Sequence, residues 1–186
     1  MQLDRIHHVA YRCRDAYETV HWYRDMLNME FVLAIAEDRV PSTKAEDPYM
    51  HVFLDAGGGN VLAFFELPTQ PPMGRDPNTP TWVQHIAFRV ADRARLLAYK
   101  EHLESRGVEV LGVTDHGAFH SIYFFDPNGH RLELCCPDPD EAGMLQRLDA
   151  VKWDMLEEWR RTRRAPRHAA FLHERERTAP LAAPGA

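Results

Sequence analysis

The sequence predicts an α+β fold of paired βαβββ modules followed by a C-terminal helix, and three observations predict it. Residues 6–15, IHHVAYRCRD, return 77 positions later at 83–92 as VQHIAFRVAD, with His8/His85, Ala10/Ala87, Arg12/Arg89 and Asp15/Asp92 identical. Each copy then runs through a helix-patterned segment into three apolar, strand-patterned segments. After Cys136 this pattern stops and an amphipathic stretch begins.

In the first module, about residues 3–67, IHHVAYRC reads as the opening strand. Asp15 is placed to cap the helix that follows, with Glu18 three residues on, and Tyr17, Val20, Tyr23 and Leu27 fall on one helical face. Asn28 suits the left-handed conformation that ends a helix. The strands EFVLAIAE, YMHVFLDA and NVLAFFELP follow, the last two joined by glycines 57–59 as a hairpin turn. Residues 68–80, PTQPPMGRDPNTP, are dense in proline and form the linker. The second module, about 81–137, repeats the order. VQHIAFRV opens it, RARLLAYKEHLESRG carries Leu96, Leu97, Tyr99 and Leu103 to a terminating Gly107, and VEVLGVTD, HSIYFFD and HRLELCC complete it around the DPNG turn at 126–129. Residues 1–137 are therefore expected to form one paired-module domain. The remainder, 138–186, is expected to hold a helix over 139–164, striped by Met144, Leu148, Val151, Met155 and Trp159, and a mobile tail.

With 186 residues the chain can bury a core without a metal or disulfide, so any metal here serves chemistry. A formal charge of −6 disfavours wholesale binding to a nucleic-acid backbone, and the Arg-rich run 160–167 lies in a tail segment whose basic and acidic residues balance. No apolar run is long enough to span a membrane, and MQLDRIHHVA lacks the basic and apolar segments of a signal peptide. Cys13 and the adjacent pair Cys135 and Cys136 make a disulfide framework unattractive. A cytoplasmic small-molecule protein is the expectation.

The repeat carries the chemistry. Strand alternation puts His8, Ala10 and Arg12 on one face, and paired modules present the equivalent steps of both opening strands to one cavity, so His8 and His85 are expected to face a common point. Two imidazoles in a cavity suit a divalent transition metal. Glu133 is a charged residue inside HRLELCC, and a carboxylate among apolar neighbours is costly unless paired or bound to a cation.

On IHHVAYRCRD, VQHIAFRVAD and SIYFFDPNGHRLEL, spanning about residues 3–137, the sequence resembles the vicinal oxygen chelate superfamily of glyoxalases, bleomycin resistance proteins and extradiol dioxygenases. The resemblance implies that His8, His85 and Glu133 are metal ligands. Glyoxalases and epimerases tend to draw a fourth ligand from the closing strand of the first repeat. Alignment puts Ala63 or Phe64 there, and neither binds a metal; Glu66 could serve only if the hairpin register slipped. Two histidines and one carboxylate with open positions form the facial triad of non-haem Fe(II) oxygenases.

The stretch TDHGAFHSIYFFDPNGHRLE (114–133) is similar to the extradiol dioxygenase signature, through Thr114, His116, Ile122, Tyr123, Asp126, Pro127, Gly129 and Glu133. The resemblance implies that His116 and Tyr123 are catalytic hydrogen-bonding and acid–base groups. The linker lacks the further acid–base histidine that such enzymes often carry, which leaves His116 or His120 as the proton shuttle. The expected activity is a metal-dependent, extradiol-type cleavage of a catechol-like ring by O2, with Fe(II) as cofactor and Mn(II), Zn(II) or Ni(II) as alternatives. Phe53, Phe65, Trp82 and Phe119 are candidates to shape an apolar pocket. The rivals are a glyoxalase- or epimerase-type lyase or isomerase and a non-catalytic drug-binding protein. The expected partners are an aromatic substrate, O2 and a second copy in a homodimer, with no nucleic acid or membrane.

Overall fold

The structure, a computed structural model, describes residues 3–172. The part of the tail beyond Leu172, including most of the segment expected to be mobile, lies outside the described residues. Two four-stranded sheets are present. Strands β1 (Val9–Cys13), β2 (Glu30–Arg39), β3 (Glu46–Asp55) and β4 (Val61–Glu66) form one, in the order β1-β4-β3-β2; β5 (His85–Arg89), β6 (Leu111–Asp115), β7 (Phe119–Phe125) and β8 (Arg131–Pro137) form the other, in the order β5-β8-β7-β6. Helices α1 (Ala16–Leu27) and α2 (Arg93–Ser105) follow the opening strands, and α3 (Glu141–Thr162) follows β8. The paired βαβββ order and the C-terminal helix are as the repeat predicts. Among the described residues no helix is long and apolar enough to cross a membrane.

Contacts group the chain into two compact units. The first holds the described residues through Phe88, Ala98–Val110 and Tyr123–Glu133. In it, β1 runs parallel to β4 with Ala10 opposite Ala63 and Tyr11 opposite Phe64, and β3 pairs antiparallel with β4 on one side and β2 on the other. Helix α1 starts where expected: the Asp15 side chain accepts the Glu18 N–H at 2.8 Å, and Asn28 ends the helix at φ 55°. Its buried face is Ala16, Thr19, Val20, Tyr23 and Leu27. Tyr17 is 75% exposed instead, and Thr19 takes the buried position because its hydroxyl is satisfied by the Asp15 carbonyl at 2.6 Å. Tyr23 packs on the fully buried Phe64, with ring centroids 5.0 Å apart. Phe64→Ala is expected to cost about 3–5 kcal/mol, read by chemical denaturation.

The DPNG turn is tied to this helix. Asp126 is buried, accepts the Asn128 and His130 backbone N–H groups, and accepts the Tyr23 hydroxyl at 3.0 Å. Asn128 in turn donates to Thr19 Oγ1 and accepts the Arg14 N–H. A motif that looks like a local turn signal is thus a tertiary clasp whose buried polar groups are all paired.

Burial also pushes the Cys13 thiol up, from 9.0 to about 11. A raised folded value means stability that is fully present below pH 9 and is lost as pH rises through about 11. Native Cys13 is expected to resist alkylation at mildly alkaline pH and to react at the rate of a free thiol once the chain is denatured, as followed by mass spectrometry.

The second unit holds Arg89–Leu97, Leu111–Ile122 and the described residues from Leu134 on. Gly112 sits at φ +106°, where a Cβ would stand 2.6 Å from the Ser121 carbonyl oxygen, so only glycine fits this crossing. Arg89 clamps Glu141 with two bonds of 2.9 and 2.8 Å at the start of α3. Of the expected α3 stripe, Met144 is buried, Leu148, Val151 and Met155 are half-buried, and Trp159 is 45% exposed.

Candidate metal centre

Glu133 lies on β8, where alternation buries Leu132, Leu134 and Cys136 on one face and leaves Arg131, Glu133 and Cys135 on the other. The Glu133 side chain is 4% exposed and its Oε2 stands 3.0 Å from His85 Nε2. His85 Nδ1 is 3.0 Å from the Val83 carbonyl, an oxygen that can only accept, so the proton of a neutral ring sits on Nδ1. The Nε2 lone pair then faces a carboxylate oxygen, an arrangement that calls for a proton or a cation between them. A backbone carbonyl fixing the far nitrogen is also how metal-bound histidines are oriented. The pair therefore fits a divalent metal with nitrogen and oxygen donors.

Tyr123 joins this pair. Its ring meets the His85 ring edge-on, with centroids 6.1 Å apart at 87°, and the Arg131 guanidinium lies over it at 4.3 Å. Arg131 was not anticipated from the sequence, although its place two residues before Glu133 put it on the same face of β8.

His8 is placed elsewhere, just before β1. Its Nδ1 is 2.8 Å from His7 Nδ1, and its ring lies 6.0 Å from His51 and 5.6 Å from Phe53. Among the described residues no three His, Cys, Asp or Glu side chains gather into a group that could hold a metal ion, so His8 does not join His85 and Glu133 within one chain.

The His8 face of the first sheet carries a residue that sequence reasoning missed. His51, on β3, is 8% exposed, stacks on Phe65 at 3.6 Å, lies 4.1 Å from Phe53, and has a buried Nε2 with no hydrogen-bond partner. Burial, and secondarily the neighbouring His8, hold its ring below the usual imidazole range. The signal was present only as a histidine inside the apolar strand YMHVFLDA. Phe53 and Phe65 do line this face, whereas Trp82 is 66% exposed.

The pairing of Ala10 with Ala63 puts Ala63 on the His8 face, where it offers no donor. Glu66 pairs with Cys13 on the opposite face, and its Oε2 accepts the Ala16 N–H at 2.7 Å, at the start of α1. Its carboxylate completes the helix start instead of facing the His8 side. In the second unit, His116 is exposed with its ring 5.0 Å from Phe119, and His120 stands between Asp115 and Asp138 at 3.7 and 3.4 Å.

A family model described as the Glyoxalase/Bleomycin resistance protein/Dioxygenase superfamily matches residues 5–134. The chain belongs to this superfamily. A curated relative named as a ring-cleaving dioxygenase, MhqA of Bacillus subtilis (strain 168), is 29% identical over 147 residues, 77% of this chain. The chain spans only 42% of the length of that relative. Among solved structures, a superfamily domain from Frankia sp. EAN1pec aligns with a TM-score of 0.59 at 20% identity, covering 74% of this chain and all of that one. The glyoxalase family protein from Enterococcus faecalis aligns at 0.53 and 26% identity, covering 73% and 99%. The fosfomycin resistance protein FosX from Listeria monocytogenes, solved with Mn(II) and sulfate, aligns at 0.55 and 20%, covering 76% and 98%. The Frankia and FosX likenesses establish the shared fold of this superfamily member.

Proposed function

We propose that the chain is a metal-dependent ring-cleaving dioxygenase of the extradiol type, acting on a catechol-like substrate with O2. The observation that carries this reading is the buried Glu133 carboxylate against His85 Nε2 with Tyr123 beside them, on a chain that is related to a protein named as a ring-cleaving dioxygenase. The position of Glu66 on the far face of the first sheet disfavours the four-ligand lyase or isomerase alternative.

His85 and Glu133 would hold the ion, with His8 as third ligand. Fe(II) is the proposed ion and Mn(II), which the FosX structure contains, the alternative. When bound, such an ion offers positions where the two vicinal hydroxyls of the substrate and O2 are held side by side. The Val83 carbonyl keeps His85 in the ligating tautomer. The Tyr123 hydroxyl donates to and orients a substrate oxygen, with its ring held against Arg131. His116 or His120 is the proposed proton carrier.

Because one chain leaves His8 with His7 and His51, the ligand set is proposed to close between two copies, His8 from one and His85 with Glu133 from the other. Exposed apolar side chains on β2, namely Phe31, Val32, Leu33 and Ile35, support a homodimer. Cys13, Cys135 and Cys136 are not joined by disulfides, which supports a reducing, cytoplasmic setting.

The test is metal analysis and oxygen uptake with a panel of catechols after anaerobic Fe(II) loading. Uptake with ring-opened product is expected; iron bound without uptake on any catechol would overturn the reading.

A further inference from the structure

The first unit contains a cavity of about 340 Å³, a size suited to a small molecule, between the linker and the DPNG turn. His85 forms part of its wall, and so do Arg14, Arg75 and Arg131. The one acidic residue in the lining is Asp76, whose carboxylate accepts the Thr79 hydroxyl and, secondarily, the Asn78 N–H, which hold it below the usual carboxylate range. In a chain of net charge −6, three arginines against one aspartate in a single cavity is a local reversal of sign.

Among the described residues no carboxylate lies within ion-pair distance of Arg14, Arg75 or Arg131. Arg14 donates to the Pro127 carbonyl and Arg75 to the Gly129 carbonyl, both at 3.2 Å, so the DPNG turn positions them without cancelling charge. Arg75 also rests on Phe125 at 5.1 Å, and Arg131 rests on Tyr123, its Nε buried without a hydrogen-bond partner. A guanidinium has five donors and these contacts occupy at most one on each. Cations gathered in a concave wall repel one another, focus the field into the cavity and attract an anion that arginine can bind in bidentate fashion.

We infer that this cavity is an anion-binding pocket for the carboxylate or equivalent oxyanion group of a small molecule, with Arg14, Arg75 and Arg131 as its binding residues. His85 belongs both to this wall and to the pair with Glu133, so the cavity adjoins the proposed metal centre through that residue. On the dioxygenase reading, and resting on it, the substrate class is an aromatic acid; the pocket itself does not depend on that reading.

The test uses the full chain freed of metal by chelator. Calorimetric titration compares 4-hydroxybenzoate with neutral 4-hydroxybenzamide, which has the same ring. The acid is expected to bind about tenfold more tightly, a preference that falls as salt is raised. Arg14→Gln with Arg75→Gln should abolish the preference while Arg14→Lys with Arg75→Lys retains most of it, and circular dichroism on each variant checks the fold. Equal affinity of acid and amide for the unaltered chain would overturn the inference, as would an undiminished preference in the folded glutamine variant. Since the titration needs neither metal nor turnover, loss of the anion preference and failure of oxygen uptake are separate results.

Discussion

Replacing Glu133 by alanine is expected to reduce metal affinity by at least about a hundredfold and to bring oxygen uptake to background. The carboxylate is nearly fully buried and aimed at an imidazole nitrogen whose tautomer is already set by the Val83 carbonyl. Without a cation such a group is a burden on the fold, because a buried carboxylate is expensive to desolvate. His85 keeps its Nδ1 contact with the Val83 carbonyl when its partner is removed, so the ring stays anchored. Glu133→Ala without metal should therefore melt at or slightly above the temperature of the unaltered metal-free chain. That combination separates a ligand from a structural residue: a merely structural Glu133 would lower the melting temperature and leave metal content intact. Unchanged metal content, measured by elemental analysis after anaerobic loading, would refute the assignment.

The second large effect is complementation. His8→Ala and Glu133→Ala are each expected to be inactive. In a mixed dimer, the chain lacking His8 still supplies His85 and Glu133, and the chain lacking Glu133 still supplies His8, so one of the two sites is whole. With free exchange of equal amounts, roughly a quarter of the unaltered activity should return, since half the dimers are mixed and each carries one complete site. Exchange is verified by native mass spectrometry with one chain isotopically heavy. Mixed dimers that form without activity would show that His8 is not donated between copies. Activity in the mixture with no dimer present would equally defeat the arrangement.

How far the sequence carried can be seen in particular residues. The repeat at His8 and His85 announced both modules, and Asp15 and Asn28 announced both ends of α1, because strand alternation, caps and turns are short-range properties written in consecutive residues. The DPNG turn was legible for the same reason. Tyr17 was misjudged, since helical spacing marks a stripe but does not say which edge of it meets the sheet; Thr19 won the buried place through a hydrogen bond to its own helix start. The fate of Glu66 was also open in the sequence, where a slip of register would have turned it toward His8. Pairing with Cys13 and the bond from Ala16 hold it on the other face.

The site divides along the same line. Composition and the repeat determined the βαβββ pairing, and the isolated carboxylate in HRLELCC marked Glu133, because an uncompensated charge in an apolar strand demands a partner. Only the tertiary structure decided that His85 is that partner and that His8 keeps company with His51, Phe53 and His7. It alone revealed His51 as a buried imidazole and gathered Arg14, Arg75 and Arg131 around one cavity from positions far apart in the chain. A sequence records which residues share a strand or a helix face; which faces meet is settled by the packing of whole elements, and the chemistry of this protein lies in those meetings.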